Sequence, residues 1–259
     1  MAVELKSRAE LLRMRRAGAL VADVLAELAS VVRPGVCTGD LHELALTRIT
    51  AARGKAAFLG YRHPTGGPAF SGAVCASVDC EVVHGIPSRE RVLRSGEILS
   101  LDCGVLLDGF YGDSAVTVAV GAVDDEALRL MEVTKASLAA AVEMCRPGVR
   151  LRDLSAAVES VILAGGFSIV RDFVGHGIGR RLHEDPQVPN YVTSGGASGM
   201  MFREGLVLAI EPMVNEGVAE TETLPDQWTV VTKDRKRSAH FEHTVAVTRE
   251  GPQILTLPG

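Results

Sequence analysis

The chain has few aromatic residues, no paired cysteines, no long apolar run and no surplus of positive charge. Each shortage removes a class of protein. Its five cysteines (Cys37, Cys75, Cys80, Cys103 and Cys145) include no C-x-x-C pair. That spacing argues against a thiolate zinc cage and predicts reduced, mostly structural thiols. No apolar stretch reaches membrane-spanning length, which excludes a helical membrane protein. The opening MAVELKSRAELLRMRRAG lacks the apolar core of a secretion signal, so the cytoplasm is the expected address. With 27 Lys and Arg against 32 Asp and Glu, the net charge is -5. DNA or RNA is therefore not the expected main partner. The glycine-rich TSGGASG (193–199) lacks the lysine and following helix of a phosphate loop and reads as a surface loop. Aromatics are only 4% of residues, so the single Trp228 stands out.

What remains is an ordinary soluble composition with an unusual stretch, EILSLDCGVLLDGFYGDSAVTVAV (97–120). Ile98–Leu106 and Phe110–Val120 are apolar and strand-like, and Asp108-Gly109 between them is a strong hairpin signal. If those two residues form the turn, Asp102 faces Ala115 and Asp113 faces Gly104. Side chains alternate along a strand, so Asp102 and Asp113 become diagonal neighbours on one face, roughly 7–8 Å apart at the backbone. Buried like charges at that range are costly unless neutralised, and a divalent cation would neutralise them. The plainer alternative is that each Asp is a solvated turn or edge residue. Leu99, Leu101, Val116 and Val118 argue for buried strands instead.

The sequence also repeats itself. Arg33-Pro-Gly-Val recurs as Arg146-Pro-Gly-Val, and Asp40-Leu41 recurs at the same offset as Asp153-Leu154. An amphipathic helical pattern precedes each copy, Leu11–Val32 and Asp125–Cys145. Asp40 and Asp153 read as N-caps of the helices that follow. The later strands echo each other too, pairing Asp102 with Glu211 and Asp113 with Glu242. The expected fold is α+β, one catalytic domain over 1–259 in two pseudo-symmetric halves, about 7–121 and 122–250. A curved antiparallel sheet would carry its helices outside, and the cleft between the halves would hold the site.

Four carboxylates in one cleft call for more than one positive charge. The segment FVGHGIGRRLHEDPQVPNY supplies His176 and His183. One imidazole with four carboxylates suits a pair of manganese, iron, cobalt or zinc ions better than calcium or magnesium. His84, in EVVHGIPS, reads either as a satisfied core or loop histidine or as a substrate contact. Glu184 and Asp185-Pro186 read as turn chemistry.

Together VVHGIP, LDCGVLLDGFYGDSAVT, GHGIGRRLHEDPQVPNY, LAIEPMV and WTVVTKDRKRSAHFEHTVAVT resemble the type I methionine aminopeptidases in their short bacterial form. The resemblance runs from about Ser7 to Gly251. It implies the pita-bread fold and removal of the initiator methionine from nascent polypeptide N-termini when the second residue is small. It also implies two divalent metal ions (cobalt, manganese, iron, nickel or zinc). Asp102 would bind one metal, His176 and Glu211 the other, and Asp113 and Glu242 would bridge. Glu211 would also shuttle protons, His183 would bond the scissile carbonyl, and His84 would contact the nitrogen beyond it. Tyr61, Phe70, Cys75 and Trp228 would line the methionine pocket, with Phe58 and Leu182 nearby. Phe58, Leu182 and the longer segment 62–72 depart from the family pattern and bear on the pocket's shape, not on the chemistry. Asp79 and Ser238 match a monovalent-cation site. The family works on nascent chains as a monomer. The basic cluster Lys6, Arg8, Arg13, Arg15 and Arg16 on the first helix is therefore either a solvated face or a ribosome contact. A relative of the same fold that cuts before proline, and a non-catalytic binding module, are the alternatives.

Overall fold

The computed structural model describes residues 3–63 and 66–259. The first half runs α1 (Arg8–Val31), α2 (Thr38–Ala51), β1 (Lys55–Ala56), β2 (Cys75–Val78), β3 (Glu81–Val83), β4 (Ile98–Leu107) and β5 (Phe110–Ala119). The second half opens with α3 (Asp125–Glu143) and α4 (Leu151–Ala164), then β6 (Ser168–Ile169), β7 (Gly175–Gly177), β8 (Glu184–Val188) and β9 (Val207–Ile210). It closes with β10 (Met213–Asn215), β11 (Thr221–Thr223), β12 (Val230–Thr232), β13 (Ser238–His240), β14 (His243–Thr248) and β15 (Gly251–Ile254). Each half thus delivers two helices before its main strands.

Helix α1 starts at Arg8, earlier than its apolar periodicity begins. Ser7 and Glu10 form a reciprocal cap, with Ser7 N–H donating to Glu10 Oε2 at 2.8 Å and Glu10 N–H to Ser7 Oγ at 3.4 Å. Asp124 caps α3 by accepting Ala127 N–H at 2.8 Å. The expected caps of the other two helices are corrected. Cys37 and Arg150 are the N-caps, and Asp40 and Asp153 sit three positions later. There Asp153 accepts Arg150 N–H at 3.3 Å and Asp40 faces Arg89 at 3.4 Å. The reason is the chain just before: Cys37 and Arg150 bridge to Val92 and Met201, and the backbone turns from bridge straight into helix.

The repeated Arg-Pro-Gly-Val motif makes the same turn twice. Gly35 and Gly148 both have positive φ (91 and 87), and their N–H groups donate to Leu93 O and Phe202 O, each at 2.9 Å. Only glycine adopts that backbone without strain.

The β4–β5 hairpin has the expected register, with Asp102 opposite Ala115 and Gly104 opposite Asp113. Its turn residues Asp108 and Gly109 both have positive φ, as a two-residue I′ turn requires. Alternation then sorts the side chains. Leu99, Leu101, Cys103 and Val105 pack under α1 and α2, leaving Asp102 on the opposite, concave face. In the second half Leu208 and Ile210 pack with the α3–α4 core, and Glu211 follows at the strand end. Each fully buried leucine or isoleucine contributes roughly 1.5–3 kcal/mol, which sets the register firmly. Among the described residues every strand pairing is antiparallel, and β15-β14-β9-β7-β8 form the largest sheet.

The two halves are stitched where β5 meets the strand leading into β14. Glu242 N–H donates to Ala115 O at 2.9 Å. On either side, Thr117 Oγ1 donates to His240 O and Thr244 Oγ1 to Asp113 O, each at 2.8 Å. The backbone of Asp113 meets Thr244 Oγ1 as the backbone of His240 meets Thr117 Oγ1, so Asp113 and His240 are equivalent positions, as are Ala115 and Glu242. The expected counterpart of Asp113 was Glu242, so the sequence alignment of the halves is off by two residues. The pairing of Asp102 with Glu211 stands: each lies six residues past a positive-φ glycine, Gly96 and Gly205, whose N–H groups bond Val120 O and Val247 O.

The basic cluster is also corrected. Lys6 precedes the helix and is buried, its Nζ 2.7 Å from Glu184 Oε2. Arg15 donates to the carbonyls of Leu255, Leu257 and Pro258, and Arg16 pairs with Asp108 at 3.0 Å. Arg8 and Arg13 are exposed. Glu184 accordingly belongs to β8 and a buried ion pair, not to a solvated turn.

Candidate active site

A cavity of about 780 Å³ opens between the halves. All of Asp102, Asp113, His176, Glu211, Glu242, His84, His183, Tyr61, Phe70, Cys75 and Trp228 line it. Strands deliver the acids: Asp102 from β4, Asp113 from β5, Glu211 just past β9 and Glu242 just before β14. His176 comes from the centre of β7.

The acids are crowded and short of partners. Asp113, His176 and Glu242 each offer a donor atom within 4.8 Å of the others. His176 Nε2 lies 3.9 Å from Asp113 Oδ2 and 3.6 Å from Glu211 Oε1. Asp102 Oδ1, Asp113 Oδ1 and Glu242 Oε1 are buried and have no hydrogen-bond partner among the described residues. Burial pushes the Asp102 carboxyl up to about 7. Burial, then the charges of the neighbouring acids, pushes Asp113, Glu211 and Glu242 well above the ordinary carboxylate range. An acid cluster this strained is what a cation relieves, because each orphaned oxygen gains a partner and each repulsion is offset.

His176 is in the ligand form. Burial holds its pKa near 3, so the ring is neutral at physiological pH. Its Nδ1–H donates to Gly177 O at 2.8 Å, which leaves the Nε2 lone pair facing the acids. His183 stands beside it with ring centroids 4.4 Å apart, and burial lowers its pKa too. Tyr61 reaches His183 Nδ1 at 2.9 Å. With the phenol donating there, His183 keeps Nε2–H as a hydrogen-bond donor. His84 has a positive φ of 59, a conformation rare for a side-chain-bearing residue and typical of a functional position. Its ring stands edge-on to Phe173 at 5.6 Å and to Trp228 at 5.9 Å.

The far side of the cavity is apolar. Phe70, Cys75 and Trp228 form a buried cluster with Phe58, Tyr61 and Ile86 against it. Trp228 Nε1 donates to Pro68 O at 2.8 Å, so the segment 62–72 is tied to the pocket wall. Pro64 and Thr65 of that segment lie outside the described residues. Leu182 lines the cavity as expected. Asp79 and Ser238 lie outside this lining, joined by a 2.8 Å bond from Ser238 N–H to Asp79 O.

Three residues with ring side chains were not expected at the site from the sequence, besides lining residues such as Val83, Thr223 and Gln227. His63 and Phe173 line the cavity. His240 is 2% exposed, with Nε2 3.9 Å from Glu211 Oε2. For His240 the signal was present, since it lies two residues before Glu242 on the same strand path and so shares its face.

The chain belongs to metallopeptidase family M24, whose family model matches residues 12–249. A buried cluster of Asp113, His176 and Glu242 supports the divalent-metal binding that a metallopeptidase needs. Relatives 43–46% identical to it over nearly its whole length are methionine aminopeptidases. The protein of that name from Aquifex aeolicus is 43% identical over 99% of both chains. Methionine aminopeptidase 1 of Bacillus subtilis is 45% identical over 97% of this chain and 98% of its own. The crystal structure of the Thermotoga maritima methionine aminopeptidase superposes with a TM-score of 0.93 at 44% identity, over 99% of this chain and 100% of that one. A prolidase from Pyrococcus furiosus shares the fold at a TM-score of 0.76 and 18% identity, over 98% of this chain and 66% of its own. The fold is the pita-bread fold.

Proposed function

We propose that the chain is a metal-dependent aminopeptidase that hydrolyses the first peptide bond of nascent polypeptides beginning with methionine and a small second residue. One observation carries the reading: four strained acids and a neutral imidazole face an apolar pocket across a single cavity. The metal pair would be cobalt, manganese, iron, nickel or zinc. Asp102, Asp113, His176, Glu211 and Glu242 would hold the ions. The orphaned oxygens of Asp102, Asp113 and Glu242 fit that role. Bound there, the ions supply Lewis acidity and an acidified water. Asp79 and Ser238 together fit a separate monovalent ion.

The protein's own groups do the rest. The methionine side chain enters the cluster of Phe70, Cys75, Trp228 and Tyr61, where soft apolar packing matches a thioether. His183 donates Nε2–H to the scissile carbonyl and to the oxyanion it becomes. Glu211 takes the proton of the attacking water and returns it to the leaving amine as the carbon–nitrogen bond breaks. His84 holds the backbone beyond that bond, which keeps the second residue close to the cavity wall.

A peptide panel tests the specificity. Met-Ala-Ser is cleaved, while Xaa-Pro peptides are cleaved at least about 100-fold more slowly in kcat/KM, a ratio that a shaped apolar pocket can supply. Equal rates would replace the reading with the proline-directed one. Lys6 and Arg15 have internal partners and Arg16 is in a surface pair with Asp108, which leaves Arg8 and Arg13 as the exposed charges proposed to touch a ribosome. Reversing both to Glu reduces co-sedimentation with ribosomes at low salt; unchanged co-sedimentation removes the contact.

A further inference from the structure

His240 is a buried imidazole to which the reading above gives no task. Its backbone is clamped: N–H donates to Thr117 Oγ1 at 2.9 Å, and the carbonyl accepts from the same hydroxyl at 2.8 Å. Its Nε2 is buried without a hydrogen-bond partner among the described residues. The stitching of the halves makes it the counterpart of Asp113, so it occupies a position that points toward the shared centre. Yet it lies outside the group of Asp113, His176 and Glu242, whose atoms converge within 4.8 Å. It flanks the centre instead.

Glu211 stands between two imidazoles. Oε1 is 3.6 Å from His176 Nε2, a separation two ligands of one ion can adopt. Oε2 is 3.9 Å from His240 Nε2. A shift of about 1 Å brings that second pair to hydrogen-bond length. A carboxylate that binds metal through one oxygen needs a donor for the other, or it rotates and loses affinity. We infer that His240 is a positioning residue whose Nε2–H bonds Glu211 Oε2 and aims Oε1 at the cation site.

The inference rests on the metal reading, and one experiment separates the two. Metal-free protein is titrated with cobalt(II) chloride under anaerobic conditions, by calorimetry and by visible absorption. Parent, His240→Leu and His240→Gln are compared after circular dichroism confirms that each is folded. The parent binds cobalt. His240→Leu binds its tightest cobalt about 10- to 100-fold more weakly and shows an altered absorption band. His240→Gln, which keeps a donor, recovers most of the affinity. Equal affinity and an unchanged spectrum in His240→Leu would overturn the role of His240 alone. So would His240→Gln being as weak as His240→Leu, since donation would then not be the cause. A parent that binds no cobalt would overturn the metal reading and this inference with it.

Discussion

Glu242→Ala loses metal and turnover together. Glu242 is 2% exposed and sits at the seam between the halves, with Oε1 orphaned. Removing a carboxylate proposed to be shared between two ions would leave neither with a full set. The expected fall in kcat/KM is at least about 1,000-fold, or ~4 kcal/mol of transition-state stabilisation. Metal content after gel filtration, read by elemental analysis, falls in parallel. The isosteric Glu242→Gln adds a contrast in the metal-free state. There the parent suffers repulsion among buried acids, so replacing one by a neutral amide raises the melting temperature at neutral pH. Retained metal and turnover in Glu242→Ala would mean that the acid is structural.

His183→Ala separates chemistry from metal binding. His183 is not among the converging ligand atoms, and its Nδ1 is engaged by Tyr61 at 2.9 Å. Removing its Nε2–H takes away a donor placed for the oxyanion. Such donors are worth about 100- to 1,000-fold in kcat. Metal stoichiometry stays at the parent value, and KM changes little, because the donor matters most in the transition state. If metal content falls as far as kcat does, His183 is a ligand or a structural prop and the assigned role is wrong.

Much of this was legible from residues alone, for definite reasons. Asp108-Gly109 with alternating flanks specifies one hairpin register, and the structure has it. The repeated Arg-Pro-Gly-Val marks the two halves because a positive-φ glycine turn tolerates little variation. What misled was equally physical. Strands have a period of two, so sliding one half by two residues keeps its valines matched. That slide made Glu242 the counterpart of Asp113 and hid His240. An acid at the third helical position favours a helix start as an N-cap does, so Asp40 and Asp153 fit either role. Lys6 looked like part of a basic helix face because its partner Glu184 lies 178 residues away. The bond between Tyr61 and His183 spans 122 residues and leaves no local trace.

The central claim is that buried acids from two duplicated halves are tolerated because cations replace their protons. Burial raises Asp102 from 3.8 to about 7 and pushes Asp113, Glu211 and Glu242 upward as well. The folded metal-free chain therefore holds more protons than the unfolded chain from the ordinary carboxylate range upward. Its stability falls as pH rises through that window, and metal binding must expel the extra protons. The direct test is calorimetric titration of metal-free protein with manganese(II) at pH 6, in two buffers of different ionisation enthalpy. Release of one or more protons per protein, with affinity rising from pH 5 to 7, is the result expected. Binding that releases no protons and ignores pH would show that these acids are already ionised and satisfied, and the account would fail.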